Sequence, residues 1–102
     1  MNENFSYVYI MASKSGVIYV GSTIDLEGRV YQHKHHLLGE FTKKYHCERL
    51  VYYEEYEELS DAREREIQLK KWRREKKEKL INSLNPSWSD LSSNWFHDQI
   101  HA

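Results

Sequence analysis

Apolar and polar positions along the chain fall into six patterned stretches. Phe5 to Ala12 (FSYVYIMA) is dense in aromatic and β-branched residues, the composition of a strand. Ser13 to Gly16 (SKSG) is turn chemistry and Val17 to Gly21 (VIYVG) resumes the strand pattern, so the two stretches predict a hairpin. Side chains alternate between the faces of a strand. With Met11 opposite Val17, Tyr9 stands opposite Tyr19 and both phenols share a face; a one-residue slip would part them. Thr23 or Asp25 can cap a first helix running roughly to Leu38, with Leu26, Val30 and Leu37 as its apolar stripe. His33 falls within that stripe, and Arg29 lies on its edge one turn earlier.

After Gly39 a short connector leads to a third strand, Arg49 to Tyr56 (RLVYYEEY). Ser60 is a candidate N-cap for a second helix reaching about Trp72, with Asp61 in its first turn, where negative charge suits the helix dipole. Ala62, Glu66 and Leu69 share its inner face. A third helix, roughly Arg74 to Leu84, is expected to bury Leu80, Ile81 and Leu84 and to stop before Asn85-Pro86. The order ββαβαα describes an α+β domain over residues 1–88. Residues 89–102 read as a polar C-terminal tail on which only Trp95 and Phe96 offer docking groups.

Composition adds bounds. A chain of 102 residues with 39% hydrophobic and 14% aromatic content suits one packed domain. The single cysteine, Cys47, cannot form an internal disulfide, so a reducing cytoplasm is the expected setting. No stretch reads as a signal peptide or a membrane span. The net charge of -1 at first argues against a nucleic-acid partner, but the charge is segregated. Glu48 to Asp61 holds six acids against Arg49 alone, whereas Arg63 to Lys79 holds nine bases against four acids. Such segregation can give one basic face suited to phosphates, or simply the solvated side of a helix.

Five polar residues fall at core-like positions: Tyr9, Tyr19, Arg29, His33 and Glu66. Phosphodiester hydrolysis needs a deprotonated water, balance for the charge on the transition state, and a stabilised leaving oxygen. A hard cation such as Mg²⁺ serves the last two and requires only one or two protein carboxylates. Glu66 is the acid the pattern turns inward and hence the candidate metal ligand. Arg29 offers a planar fork for phosphate. The tyrosines offer hydroxyls to orient or deprotonate water, and His33 could hold water or phosphate. Tyrosine is a poor base unless nearby positive charge lowers its pKa, and Arg29 and a metal could supply that charge. Read singly, the same residues fit core tyrosines, a satisfied core histidine, and a Glu66–Arg29 pair.

Taken together, Tyr7-Val8-Tyr9, then Tyr19-Val20-Gly21, then Arg29 and His33 resemble the GIY-YIG nuclease family. The stretch Arg65 to Trp72 followed by Leu84-Asn85-Pro86-Ser87-Trp88 is similar to the small free-standing bacterial branch of that family, in outline like the N-terminal nuclease domain of the repair excinuclease. The resemblance covers about Tyr7 to Leu91. It implies a three-stranded, mainly antiparallel sheet flanked by helices and a Mg²⁺- or Mn²⁺-dependent endonuclease acting on nucleic acid, DNA first, in repair or processing. It makes Tyr9 and Tyr19 the two motif tyrosines without fixing which is the general base (Tyr9 is favoured here, with Tyr19 positioning water), Arg29 the phosphate ligand, Glu66 the metal ligand, His33 a neighbour of the scissile phosphate, and Asn85 a brace of the site. Tyr7 replaces the glycine of the first motif, and Ser22 stands where excinuclease-type members carry a lysine.

The basic segment takes the place of a separate DNA-binding domain, with Lys70, Lys71, Arg73, Arg74, Lys76 and Lys77 as candidate phosphate contacts. A monomer or weak homodimer is expected, with no membrane partner. Two rival readings stand beside this one. A binding module on the same fold would lack catalysis. A zinc protein is suggested by His33, His35, His36, His46 and Cys47, but their spacing matches no compact Cys/His site.

Overall fold

The computed structural model describes residues 4–96. Its elements are β1 (Ser6–Ala12), β2 (Ile18–Thr23), α1 (Leu26–Lys34), α2 (Glu40–Tyr45), β3 (Arg49–Tyr56), α3 (Leu59–Lys71) and α4 (Arg74–Leu84). The expected α+β order ββαβαα is present, with one addition: the connector after Gly39 contains the short helix α2. The three strands form one antiparallel sheet in the order β2-β1-β3.

β1 is the central strand and every residue of it is buried, which explains its nearly unbroken apolar run. Its alternate side chains enter two cores. Val8, Ile10 and Ala12 pack with Val20, Val51, Leu69 and Ile81 beneath α3 and α4. Tyr7, Tyr9 and Met11 pack with Leu26, Val30, Cys47 and Leu50 on the α1 side. The active-site candidates on β1 and α1 therefore lie on the second face.

The hairpin register differs from the expected one by two residues. Met11 pairs with Tyr19 and Tyr9 with Gly21, because the turn is a five-residue loop in which Ser13 N–H bonds Val17 O at 2.8 Å and Gly16 takes φ 91°. A shift of two preserves the face, so Tyr9 and Tyr19 remain on the same side, diagonal rather than opposite.

Of the two expected caps, Asp25 is the N-cap of α1, and Thr23 bonds the amide of that cap residue. Thr23 Oγ1 accepts from Asp25 N–H at 2.9 Å, and the Asp25 carboxylate accepts from Gly28 N–H at 3.0 Å. The helix ends at Lys34, not near Leu38, because His36 adopts a left-handed φ of 58°. Leu37, placed in the apolar stripe by periodicity, is 64% exposed. α3 starts from Glu58 rather than Ser60, and Glu58 makes no side-chain cap. α4 has the expected bounds, but of its three expected core residues only Ile81 is buried; Leu80 is half-buried and Leu84 exposed.

Residues 89–96 do not hang free. Asp90 Oδ1 accepts from Leu50 N–H at 3.1 Å, Lys34 Nζ pairs with Asp90 at 2.5 Å, and Leu91 N–H bonds Leu50 O at 2.8 Å. Trp95 and Phe96 pack on the α1-side core, as expected of them. The rest of the expected tail lies outside the described residues. Among those described, no helix is long and apolar enough to cross a membrane.

Candidate active site

Tyr9 is fully buried on β1, and its ring crosses β2 over Gly21. A Cβ at Gly21 would stand 2.6 Å from Tyr9 Oη, so the missing side chain is what lets the phenol through. Beyond that slot, Tyr9 Oη lies 2.9 Å from His33 Nε2, and the Arg29 guanidinium is near enough for its charge to act on the phenol. The His33 tautomer decides which of Tyr9 Oη and His33 Nε2 donates, and the other ring nitrogen, Nδ1, is buried with no hydrogen-bond partner among the described residues. Tyr19 is half-buried beside them, its ring centre 6.3 Å from that of Tyr9 and 5.1 Å from that of His33. Phe41 of α2 packs on Tyr19 at 6.2 Å. Tyr19, Arg29, Leu38, Gly39, Phe41 and Thr42 line a cavity of about 160 Å³.

Glu66 reaches the same region from α3. Its Oε1 accepts from Ser22 Oγ, and its Oε2 pairs with Lys70 Nζ at 2.6 Å. Its charge acts on Tyr9. Burial alone would raise the Glu66 carboxyl, but the hydrogen bonds from Lys70 and Ser22 and the charges of Lys70 and Arg63 outweigh it. The group is held below the usual carboxylate range. A partly exposed carboxylate that already attracts cationic and hydroxyl donors fits a hard divalent ion, with water and phosphate completing the shell.

The Tyr9–His33 pair is neutral in the resting protein. Burial, then the charge of Tyr19, pushes the Tyr9 phenol above its ordinary value. Arg29 opposes this, as expected, but does not prevail. Burial first and Arg29 second lower His33 to about 4. His33 is fully buried, as Tyr9 is, and its Nε2 holds the Tyr9 hydroxyl.

This fixes a pH dependence. The unfolded His33 protonates near 6.5 and the folded one near 4, so its contribution to stability is complete above pH 6.5. As pH falls through that window the unfolded chain takes the proton first and stability declines, by about 2 kcal/mol at pH 5. Urea unfolding of wild type and His33→Gln at pH 7.5 and 5.0 should show that difference shrinking in the variant.

Asn85 is not brought to this cluster. Its Nδ2 donates to Val51 O at 3.1 Å and Ser89 O at 2.8 Å, which ties the chain after α4 to β3. It braces the fold rather than the phenols. The basic segment is partly neutralised. Arg65 forks onto Glu54 at 3.0 and 3.1 Å, Arg74 pairs with Glu78 at 2.6 Å, and Lys76 sits 4.2 Å over the Trp72 ring. Lys71, Arg73 and Lys77 form no ion pair among the described residues. The five-residue zinc set does not assemble either: His33 and Cys47 are buried, and the His35 ring packs against Tyr31. Sequence reasoning missed the Ser22–Glu66 contact and the α2 wall of the cavity, which no local pattern announces.

Residues 5–79 match the family model described as the GIY-YIG catalytic domain. The chain belongs to the GIY-YIG family. A UPF0213 protein of Staphylococcus saprophyticus is 37% identical over 76 residues, 74% of this chain and 93% of that protein. One of Staphylococcus aureus is 37% identical over 75 residues, covering 74% and 92% respectively. The solution structure of a UPF0213 protein from Bacillus halodurans superposes with a TM-score of 0.55 at 27% identity, covering 88% of this chain and 95% of that one. These GIY-YIG relatives are matched over nearly their whole length, so the small free-standing form is common to them.

Proposed function

We propose that the chain is a divalent-metal-dependent endonuclease that hydrolyses phosphodiester bonds of nucleic acid, DNA first, in a repair or processing role in the cytoplasm. The observation that carries this reading is the Tyr9 hydroxyl held by His33 at 2.9 Å, with Arg29 and Glu66 both close enough to act on it electrostatically. A tyrosine bonded to a neutral imidazole, beside an arginine and an ionised carboxylate, is arranged for proton transfer.

A scissile phosphate takes its place on the Arg29 fork, in the cavity that Tyr19 and Phe41 also line. Mg²⁺ or Mn²⁺ held by Glu66 would supply charge balance at the leaving oxygen and ease ionisation of the attacking water. Tyr9 then works as a relay. Its oxygen takes a proton from water while its own proton passes to His33 Nε2, so no free phenolate is required. Phosphate on Arg29 offsets the charge that helps depress His33, making the imidazole a better acceptor when substrate is bound. Tyr19 positions the water. Arg63 and Lys70 flank Glu66, and Lys71, Arg73 and Lys77 extend the positive rim toward the flanking backbone.

The test is cleavage of supercoiled DNA, single strands and branched junctions by the full chain. Products are expected in Mg²⁺ or Mn²⁺ and none in chelator. If no substrate is cut under any metal, the enzymatic reading fails and a binding module on the same fold replaces it. Gel-filtration with and without DNA decides between a monomer and a dimer formed on substrate.

A further inference from the structure

A second cluster stands apart from the Tyr9–Glu66 centre and shares no residue with it. His36 follows α1, His46 ends α2, and Glu48 immediately precedes β3. His36 Nε2 bonds Glu48 Oε2, His46 Nδ1 lies 3.5 Å from the same oxygen, and the two imidazole nitrogens face each other at 3.4 Å. All three potential ligand atoms fall within 4.8 Å of one another. Tetrahedral N and O ligands about 2.1 Å from a zinc ion stand roughly 3.4 Å apart, so two of the three separations match, while His36 and Glu48, now bonded directly to each other, would have to part to admit the ion.

The backbone points the same way. Both histidines adopt left-handed conformations, φ 58° and 54°, which a residue with a Cβ disfavours. Glycine would fit those turns without strain, yet each position carries an imidazole aimed at a common point. The segment between them also needs holding. α2 has six residues, its Gly39 N-cap has no side chain to close the first turn, and Phe41 and Tyr45 are partly exposed. A helix that short is marginal unless tertiary contacts pin it. A groove of about 360 Å³, lined in part by Ser13, Lys14 and Tyr45, reaches His46 and Glu48 and leaves room for a water as fourth ligand.

We propose that His36 Nε2, His46 Nδ1 and one Glu48 carboxylate oxygen form a zinc site that clips the two ends of the 36–46 segment together. The clip closes a loop whose ends would otherwise be free to part. Through α2 it also fixes Phe41 against Tyr19, at the wall of the catalytic cavity. Cys47 is not a ligand: it is buried, and its Sγ bonds Val17 O at 3.7 Å.

The test uses the untagged, metal-stripped full chain titrated with ZnCl₂ against a chromophoric chelator, with Co²⁺ as a spectroscopic probe. Wild type and Glu66→Gln are expected to bind one equivalent of Zn²⁺, to show tetrahedral Co²⁺ d–d bands without thiolate charge transfer, and to gain in Tm on zinc addition. Amide exchange in residues 40–45 should slow. His46→Gly removes a ligand while suiting the left-handed backbone, so it should fold at least as well without metal, bind Zn²⁺ at least tenfold more weakly and lose the Tm shift. Equal zinc affinity in wild type and His46→Gly would overturn the site, as would an octahedral Co²⁺ spectrum or zinc binding that leaves α2 exchange unchanged. Loss of the single equivalent in Glu66→Gln would assign the zinc to the other centre and overturn it too.

Discussion

Arg29→Ala and Glu66→Ala are each expected to slow phosphodiester cleavage about a thousandfold or more with the fold retained. The two losses have different origins, and their signatures differ. Arg29 is the group beside Tyr9 that pulls its pKa down, and its charge also helps hold His33 low. Removing it strips the phosphate of its fork, leaves Tyr9 harder to ionise, and releases His33 toward its ordinary value. An NMR titration of the His33 ring should therefore move up from about 4. Glu66 acts on Tyr9 with the opposite sign, because its negative charge raises the phenol. If Glu66 were only a nearby charge, its removal would ease proton transfer and cleavage would hold or quicken. A collapse of activity therefore marks Glu66 as a metal ligand. The variant should keep most of its stability, since what it loses is a half-exposed pair with Lys70 and one bond from Ser22. Single-turnover cleavage in Mg²⁺ and Mn²⁺, beside thermal unfolding, separates these cases. Wild-type rates in Glu66→Ala would remove the metal assignment.

Why was so much of this site legible in the sequence? Strand alternation has a period of two, so a hairpin register wrong by two still put Tyr9 and Tyr19 on one face. Asp25 fixes where α1 begins, and helical geometry then places Arg29 and His33 one turn apart on the side facing those tyrosines. Glu66 was legible as an inward acid on a helix with Ala62 and Leu69 buried. What escaped depends on backbone states and distant partners. The left-handed turn at His36 ends α1 early, yet nothing in a histidine predicts it, and Leu37 is exposed in consequence. α2 is too short and too poorly capped to show in a periodic pattern. Residues 89–96 read as a tail because they dock through polar groups: Asp90 satisfies the Leu50 amide and pairs with Lys34, a bond between residues 56 apart in sequence. The partners of Asn85 on β3 and at Ser89 likewise cannot be inferred from a motif.

Gly21→Ala is expected to lower cleavage about a hundredfold although residue 21 touches no substrate in the proposed reaction. Space, not backbone freedom, makes glycine necessary here. The added Cβ would lie 2.6 Å from Tyr9 Oη, 2.7 Å from Cζ and 2.9 Å from Cε1. The ring has no easy retreat. It is fully buried in the core with Leu26 and Val30, and its hydroxyl is tied to His33 at 2.9 Å. Relieving the contact shifts the phenol by a sizeable fraction of an ångström, which misaligns it with His33. Overpacking of this kind should also cost about 1–3 kcal/mol of stability. A Tyr9→Phe background separates the two effects. Without the hydroxyl the relay is already lost, so adding Gly21→Ala should change the remaining activity little, while the Cζ contact persists and the loss of stability stays. Single-turnover rates and urea midpoints for the four proteins of this cycle give the answer. If Gly21→Ala costs the same factor with or without the Tyr9 hydroxyl, Gly21 serves the substrate by another route, such as close approach of nucleic acid to the β2 edge, and the slot around Tyr9 is not its reason for being glycine.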